Sequence, residues 1–185
     1  MRRLSLAAGA AVIVAAQLAP LDGRFWTHMV QHLLIADLGP LLLCLGRPFP
    51  ERPALALPAW AAALAVWHLG VLYDATLDHR AVHLLAHACF LVTGIGVWAV
   101  LLGVRLPTPW KLGYVIVMWL VTLSLSQIFL WSGHSYYDGY TLSDQRAGGG
   151  VMLVEGSFVM LGVVVWLLLR LFAETEERQR ALERG

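Results

Sequence analysis

Six apolar runs, each set off from the next by a short cluster of charged, proline or glycine residues, organise the chain. They cover residues 4–19, 25–45, 59–73, 81–102, 112–131 and 149–171, and each is read as a helix crossing a hydrocarbon core, which takes roughly 20 apolar residues. The breaks are Asp22-Gly23-Arg24 and residues 47–53, 74–80, 105–109 and 132–146. Pro58 is expected in a first helical turn, where its missing N–H costs nothing. The fold class expected is all-α: a polytopic transmembrane helical bundle of about six spans over residues 1–172, followed by a charged cytoplasmic tail over 173–185. The first run also has the make-up of a signal peptide, with Arg2 and Arg3 ahead of it and small residues Ala15 and Ala16 near its end. Its short link into the second run favours a retained helix.

Composition supports a membrane setting. The chain is 59% hydrophobic with a mean hydropathy of +0.69, far more apolar than a soluble domain of 185 residues requires. Charge then sets orientation, because loops retained in the cytoplasm carry the lysine and arginine excess. Of the 13 such residues, only Arg24, Arg80 and Arg146 fall on the side opposite the termini. Both termini are therefore expected in the cytoplasm.

That orientation puts all seven histidines in the outer half of the membrane or beside it. On the helical rise, His28 lies roughly 5 Å and His32 roughly 10 Å below the outer face. His68 sits at a similar depth on the third run, and His83 and His87 descend to roughly 10 Å while His79 stays at the surface. His134 falls in the last outer loop. Residues four apart on a helix share a face, so His28 and His32 form one stripe and His79, His83 and His87 another. Two facing stripes supply four imidazoles to one point, and copper, zinc and iron all accept imidazole nitrogen. Histidine also serves as hydrogen-bonded glue between membrane helices, and for His68, His79 and His134 that role stands on equal footing with ligation.

The run Phe25-Trp26-Thr27-His28-Met29-Val30-Gln31-His32-Leu33-Leu34, with Gly39-Pro40-Leu41-Leu42-Leu43-Cys44-Leu45-Gly46-Arg47-Pro48 after it, resembles the signature of the CtaG family of caa-type cytochrome c oxidase assembly factors. Trp67-His68 through Leu77 to His79, His83 and His87 also matches in order and spacing, as does Ser143-Asp144-Gln145-Arg146-Ala147-Gly148 with Glu155-Gly156 beyond it. The resemblance implies a protein needed for maturation of a haem-copper oxidase, acting through copper on the side where the oxidase copper centres are loaded. It implies oxidase subunits or other assembly factors as partners, besides the lipid bilayer. It also implies a bacterial inner membrane, with the histidines facing the periplasm or exterior. The ligand assignment rests on spacing: His28, His32, His83 and His87 hold the ion, with His79 or His134 at the entry and His68 as a further ligand.

Copper is the expected cargo, with zinc or haem iron as alternatives. Glu155, about 9 Å into the sixth run, is expected to orient a ligating histidine or balance the cation's charge, and Asp144 and Gln145 to do likewise at the mouth or to cap the sixth helix. Asp37 points away from both His28 and His32 and is assigned to interhelical bonding. Met29 is a possible soft ligand, although packing is the commoner use of a membrane methionine. Cys44 and Cys89 lie too far apart for a C-x-x-C clasp or a disulfide. Trp26, Tyr73, Trp131, Tyr136 and Tyr137 fit an outer aromatic belt and Trp60, Trp98 and Trp110 an inner one. Glycines 148, 149, 150, 156 and 162 are expected to let the sixth helix pack closely.

No nucleotide fingerprint or basic nucleic-acid patch is present in the sequence. The chain is not expected to be an enzyme. Two alternatives stay open: a haem-binding membrane cytochrome with bis-histidine ligation, and an intramembrane metal-dependent hydrolase or hydroxylase with Glu155 as base.

Overall fold

A computed structural model describes residues 1–19 and 23–184, so Asp22 of the first expected break and the terminal Gly185 lie outside the described residues. Helix accounts for nearly all of them, and no strand occurs among them. In chain order the helices are α1 (Arg2–Leu18), α2 (Phe25–Leu33), a π segment (Leu34–Leu38), α3 (Gly39–Gly46), α4 (Pro53–Trp67), α5 (Gly70–Asp78), α6 (Arg80–Leu102), α7 (Thr108–Trp131) and α8 (Leu142–Leu182). Four stretches are long and apolar enough to cross a membrane: Phe25–Gly46, Arg80–Leu102, Thr108–Trp131 and Leu142–Leu182. Counting α4 with α5 as one bent crossing makes five. The first expected span, α1, is a helix of 17 residues, just short of that length.

The third expected span is not one helix. It starts six residues earlier than proposed, with Pro53 rather than Pro58 in the first turn, and Pro58 stands inside α4. It then breaks at His68 and Leu69, where α4 and α5 meet at 73°. The break has a local cause: His68 Nδ1 donates to the carbonyl of Leu64 at 2.7 Å, the oxygen to which a continuing helix would offer a backbone N–H. The Tyr137 hydroxyl donates to the carbonyl of His68 at 2.9 Å and so satisfies an oxygen that the bend releases.

The second span changes its winding in mid-course. Pro40 has no N–H for the carbonyl of Ala36, and the chain passes this point as the π segment. Opposite stands Gly94 of α6, at which any Cβ would collide with that same Ala36 carbonyl and with the Pro40 ring. Backbone-to-backbone approach of this kind is how membrane helices gain packing energy without a hydrophobic driving force. Asp37, within the π segment, accepts from Trp98 Nε1 of α6 at 2.6 Å, which realises its expected interhelical role. Trp98 is buried accordingly and belongs to no belt.

Around this joint, α1 packs along α3, α4 along α6, α2 along α8, and α7 along α8. Gly148 of α8 receives the Phe25 ring, Gly149 the backbone of α7 near Ser126, and Gly156 the Thr122 methyl. Gly150 and Gly162 face open space, so close packing uses three of the five expected glycines. The sixth helix starts at Leu142, inside the expected polar run, because Thr141 accepts from the backbone of Asp144 as its N-cap. It continues through the charged tail to Leu182.

Two carboxylates tie helix ends to loops. Asp144 Oδ2 accepts from the backbone N–H of Phe25 at 2.7 Å, so the first residue of α8's N-terminal turn satisfying an orphan donor does so for α2 rather than for its own helix. Glu51 accepts from the backbone N–H groups of Val104 at 3.0 Å and Arg105 at 2.8 Å after α6 ends.

Gly94→Ala is expected to lower the melting temperature of the detergent-purified protein, at a cost of about 1–3 kcal/mol from overpacking, while Gly162→Ala leaves it unchanged. Asp144→Ala is expected to cost about 1 kcal/mol and to speed amide exchange at the start of α2, read by hydrogen exchange and mass spectrometry.

Candidate metal centre

Two helices and the break between two others bring five imidazoles together. His28 and His32 stand one turn apart on α2, their rings 4.4 Å apart. From α6, the His83 ring stacks on His28 at 5.1 Å, and the His87 ring lies 5.2 Å from His32 and 6.2 Å from His28. His68, at the end of α4, sets its ring 5.8 Å from His32. Within this group one nitrogen each from His28, His32 and His87 all lie within 4.8 Å of one another.

The fourth expected ligand is at hand. His83 Nε2 is hydrogen-bonded to His87 Nε2 at 3.0 Å, a little under the separation of about 3.3 Å for two nitrogens bound tetrahedrally to one ion at about 2.05 Å. His28 and His87 are buried, while His83 is only half-buried and forms the side of the cluster nearest solvent or lipid.

Neighbouring groups fix several of the rings. The Tyr73 hydroxyl is 3.0 Å from His28 Nδ1, and Gln17 Oε1 is 2.9 Å from His87 Nδ1. With the amide oxygen facing it, His87 Nδ1 is the donor, and the Nε2 lone pair accepts from His83 Nε2, a bond that a cation would replace. His68 is held in the same sense, since its Nδ1 donates to a carbonyl and its Nε2 is a lone-pair nitrogen. Hydrogen bonds from the far nitrogen orient and strengthen imidazole ligands. His32 Nδ1 and His68 Nε2 are buried nitrogens without a hydrogen-bond partner. An imidazole donor set with unsatisfied buried nitrogens fits a borderline transition-metal ion.

An aromatic cap covers the cluster. Phe25 stacks on Tyr137 at 5.2 Å, Tyr137 on Tyr73 at 4.0 Å, and Phe129 meets Phe25 edge-on at 5.2 Å. Tyr73 and Tyr137 are thus fully buried, not part of an outer belt, whereas Trp26, Trp131 and Tyr136 are exposed. Burial, with Asp74 beside it, pushes the Tyr137 phenol well above its ordinary value, so it stays a neutral donor. The loop beneath turns at Gly139, whose φ of +86° suits glycine.

Other expected site residues lie elsewhere. His79 is exposed ahead of α6. His134 is exposed and packs on Tyr136 at 4.7 Å, outside the cluster. Asp144 binds the α2 N-terminus, and Gln145 is fully buried with its Oε1 accepting from Tyr136 N at 2.7 Å, so both build the cap rather than orient a histidine. Glu155 pairs with Asp37 rather than with an imidazole. Asp37 and Glu155 line one cavity with His32 and His68, so the acid expected to lie outside the site borders it.

Sequence reasoning missed Gln17 and Tyr73. Gln17 was legible as the one amide in an otherwise apolar helical stretch, and such a group at membrane depth marks a partner. Tyr73 carried no signal apart from its place near a histidine-bearing span.

Comparison with curated proteins and with solved structures yields no match. The cytochrome c oxidase caa3 assembly factor model, Caa3_CtaG, matches residues 49–174, a stretch that holds His68, His83 and His87 but begins after His28 and His32. That match covers most of the chain, and the protein belongs to the cytochrome c oxidase caa3 assembly factor family.

Proposed function

We propose that this assembly factor serves its oxidase by holding copper as cargo at His28, His32 and His87, with His83 as the fourth ligand, on the outer side of a bacterial inner membrane. The observation that carries the reading is the convergence of three buried imidazole nitrogens from α2 and α6 within 4.8 Å. Imidazole binds both copper oxidation states and exchanges readily, which suits a protein that must release what it collects. His83 is the residue for release: half-buried and stacked on His28, it leaves the cluster without opening the core. His79, exposed at the start of α6, and His134 in the outer loop are placed to meet an incoming ion. The partner is then an oxidase subunit or a further assembly factor.

This placement goes with six crossings and both termini in the cytoplasm. α1 runs the depth of the bundle: Leu6 lies against Gly46 at the inner end of α3, and Gln17 reaches His87 at the other. At 17 residues it is roughly 25 Å long on the helical rise. Ten of the 13 lysines and arginines then fall on the inner side, together with the tail from residue 173.

A porphyrin is a poor fit. The rings pack directly on one another, and the space beside them is about 60 Å³, room for an ion and not for a macrocycle.

Purified wild-type protein is expected to carry copper by elemental analysis, and His28→Ala/His32→Ala to lose at least one equivalent of it. A strong Soret band would instead establish the cytochrome reading, and no copper after loading would overturn the ligand assignment. Tyr73→Phe is expected to weaken copper affinity by about tenfold or more in a competition titration, with the fold retained.

A further inference from the structure

Beside the histidine cluster lies a partly open cavity of about 60 Å³ with an unusual lining. Four of the chain's five methionines border it: Met29 from α2, Met118 from α7, and Met152 and Met160 from α8. Two imidazoles, His32 and His68, complete the set. A methionine-lined space alone is ordinary packing. Two buried imidazoles with unsatisfied nitrogens at the same wall are not, since an unpaired polar atom in a membrane interior carries a penalty that evolution seldom leaves standing. His68 is the clearer of the two: it is only 8% exposed, and its bond to Leu64 leaves Nε2 as a lone pair without a partner.

We propose that this cavity is a second metal site, selective for a soft monovalent cation, Cu(I), and fed from the histidine cluster through His32. Thioether and imidazole donors together suit Cu(I) and disfavour Zn(II) and Cu(II), for which the imidazole cluster outside is the better site. All six donors are neutral, so they hold a monovalent ion at a lower electrostatic cost than a divalent one. The Asp37 and Glu155 carboxyls border the same cavity. Copper enters already reduced, so the transfer is ligand exchange alone and needs no electron donor. His32, present in both groups, is the shared ligand that passes the ion from one to the other.

The feeding step rests on the proposed function, whereas the cavity site stands without it. Both are separable with two probes on the full-length detergent-purified protein: Ag(I), a redox-inert stand-in for Cu(I), and Zn(II). Met118→Leu/Met160→Leu, close to volume-conserving, is expected to weaken Ag(I) binding by at least tenfold and to leave Zn(II) binding and the melting temperature unchanged. His28→Ala is expected to do the reverse. X-ray absorption at the silver edge of the wild type should show sulfur neighbours. Wild-type Ag(I) affinity in the methionine variant, or only nitrogen and oxygen around silver, overturns the cavity site. Zn(II) and Cu(II) binding that survives His28→Ala overturns the histidine-triad reading while leaving the cavity site in place.

Discussion

A buried imidazole has two nitrogens, and in a membrane interior neither can turn to water. Much of this structure follows from that accounting. His28 finds Tyr73, His87 finds Gln17 and His68 finds the Leu64 carbonyl. Tyr73 and Gln17 reach their histidines from other helices, whereas Leu64 lies one turn before His68 on α4. α5 leaves the line of α4 and thereby sets Tyr73 over His28, and α1 lies against α3 with its far end at His87. His28, His32 and His87 each bring one nitrogen within 4.8 Å of the other two. The polar cluster therefore specifies the arrangement of its helices as much as the helices position the cluster.

The apolar half of the structure answers a different demand. Lipid chains match leucine in polarity, so helices hold together through closeness of approach rather than through exclusion of water. The junction of Pro40, Ala36 and Gly94 shows the device most plainly: a ring without an N–H, a carbonyl it cannot pair with, and a residue small enough to let that carbonyl abut the next helix. The same joint brings Asp37 to Trp98, so a polar bond and a close backbone contact fall at one level of the bundle.

What could be read from the chain alone divides along the range of the interactions. Helices governed by apolar length were legible: α6 and α7 lie within a few residues of the expected runs, and the i, i+4 spacing placed His28 with His32 and His83 with His87. The break at His68 was not legible, because it arises from a side-chain bond to Leu64 and a hydroxyl from a residue 69 positions later. Asp144 and Gln145 carried an acid-amide pattern suited to a site, yet they serve Phe25 and Tyr136, pairings that depend on the three-dimensional return of α8 to α2. The convergence of four methionines on one cavity was equally hidden, since Met29, Met118, Met152 and Met160 lie on three helices and share no spacing.

The last helix runs without interruption from the aromatic cap to the solvated tail. Its 41 residues amount to roughly 60 Å at the helical rise, about twice a hydrocarbon core. At its outer end Asp144 fastens α2, midway Glu155 meets Asp37, and further along Glu174 accepts from Thr108 of α7 at 2.9 Å. The charged end and the aromatic cap therefore belong to one continuous helix.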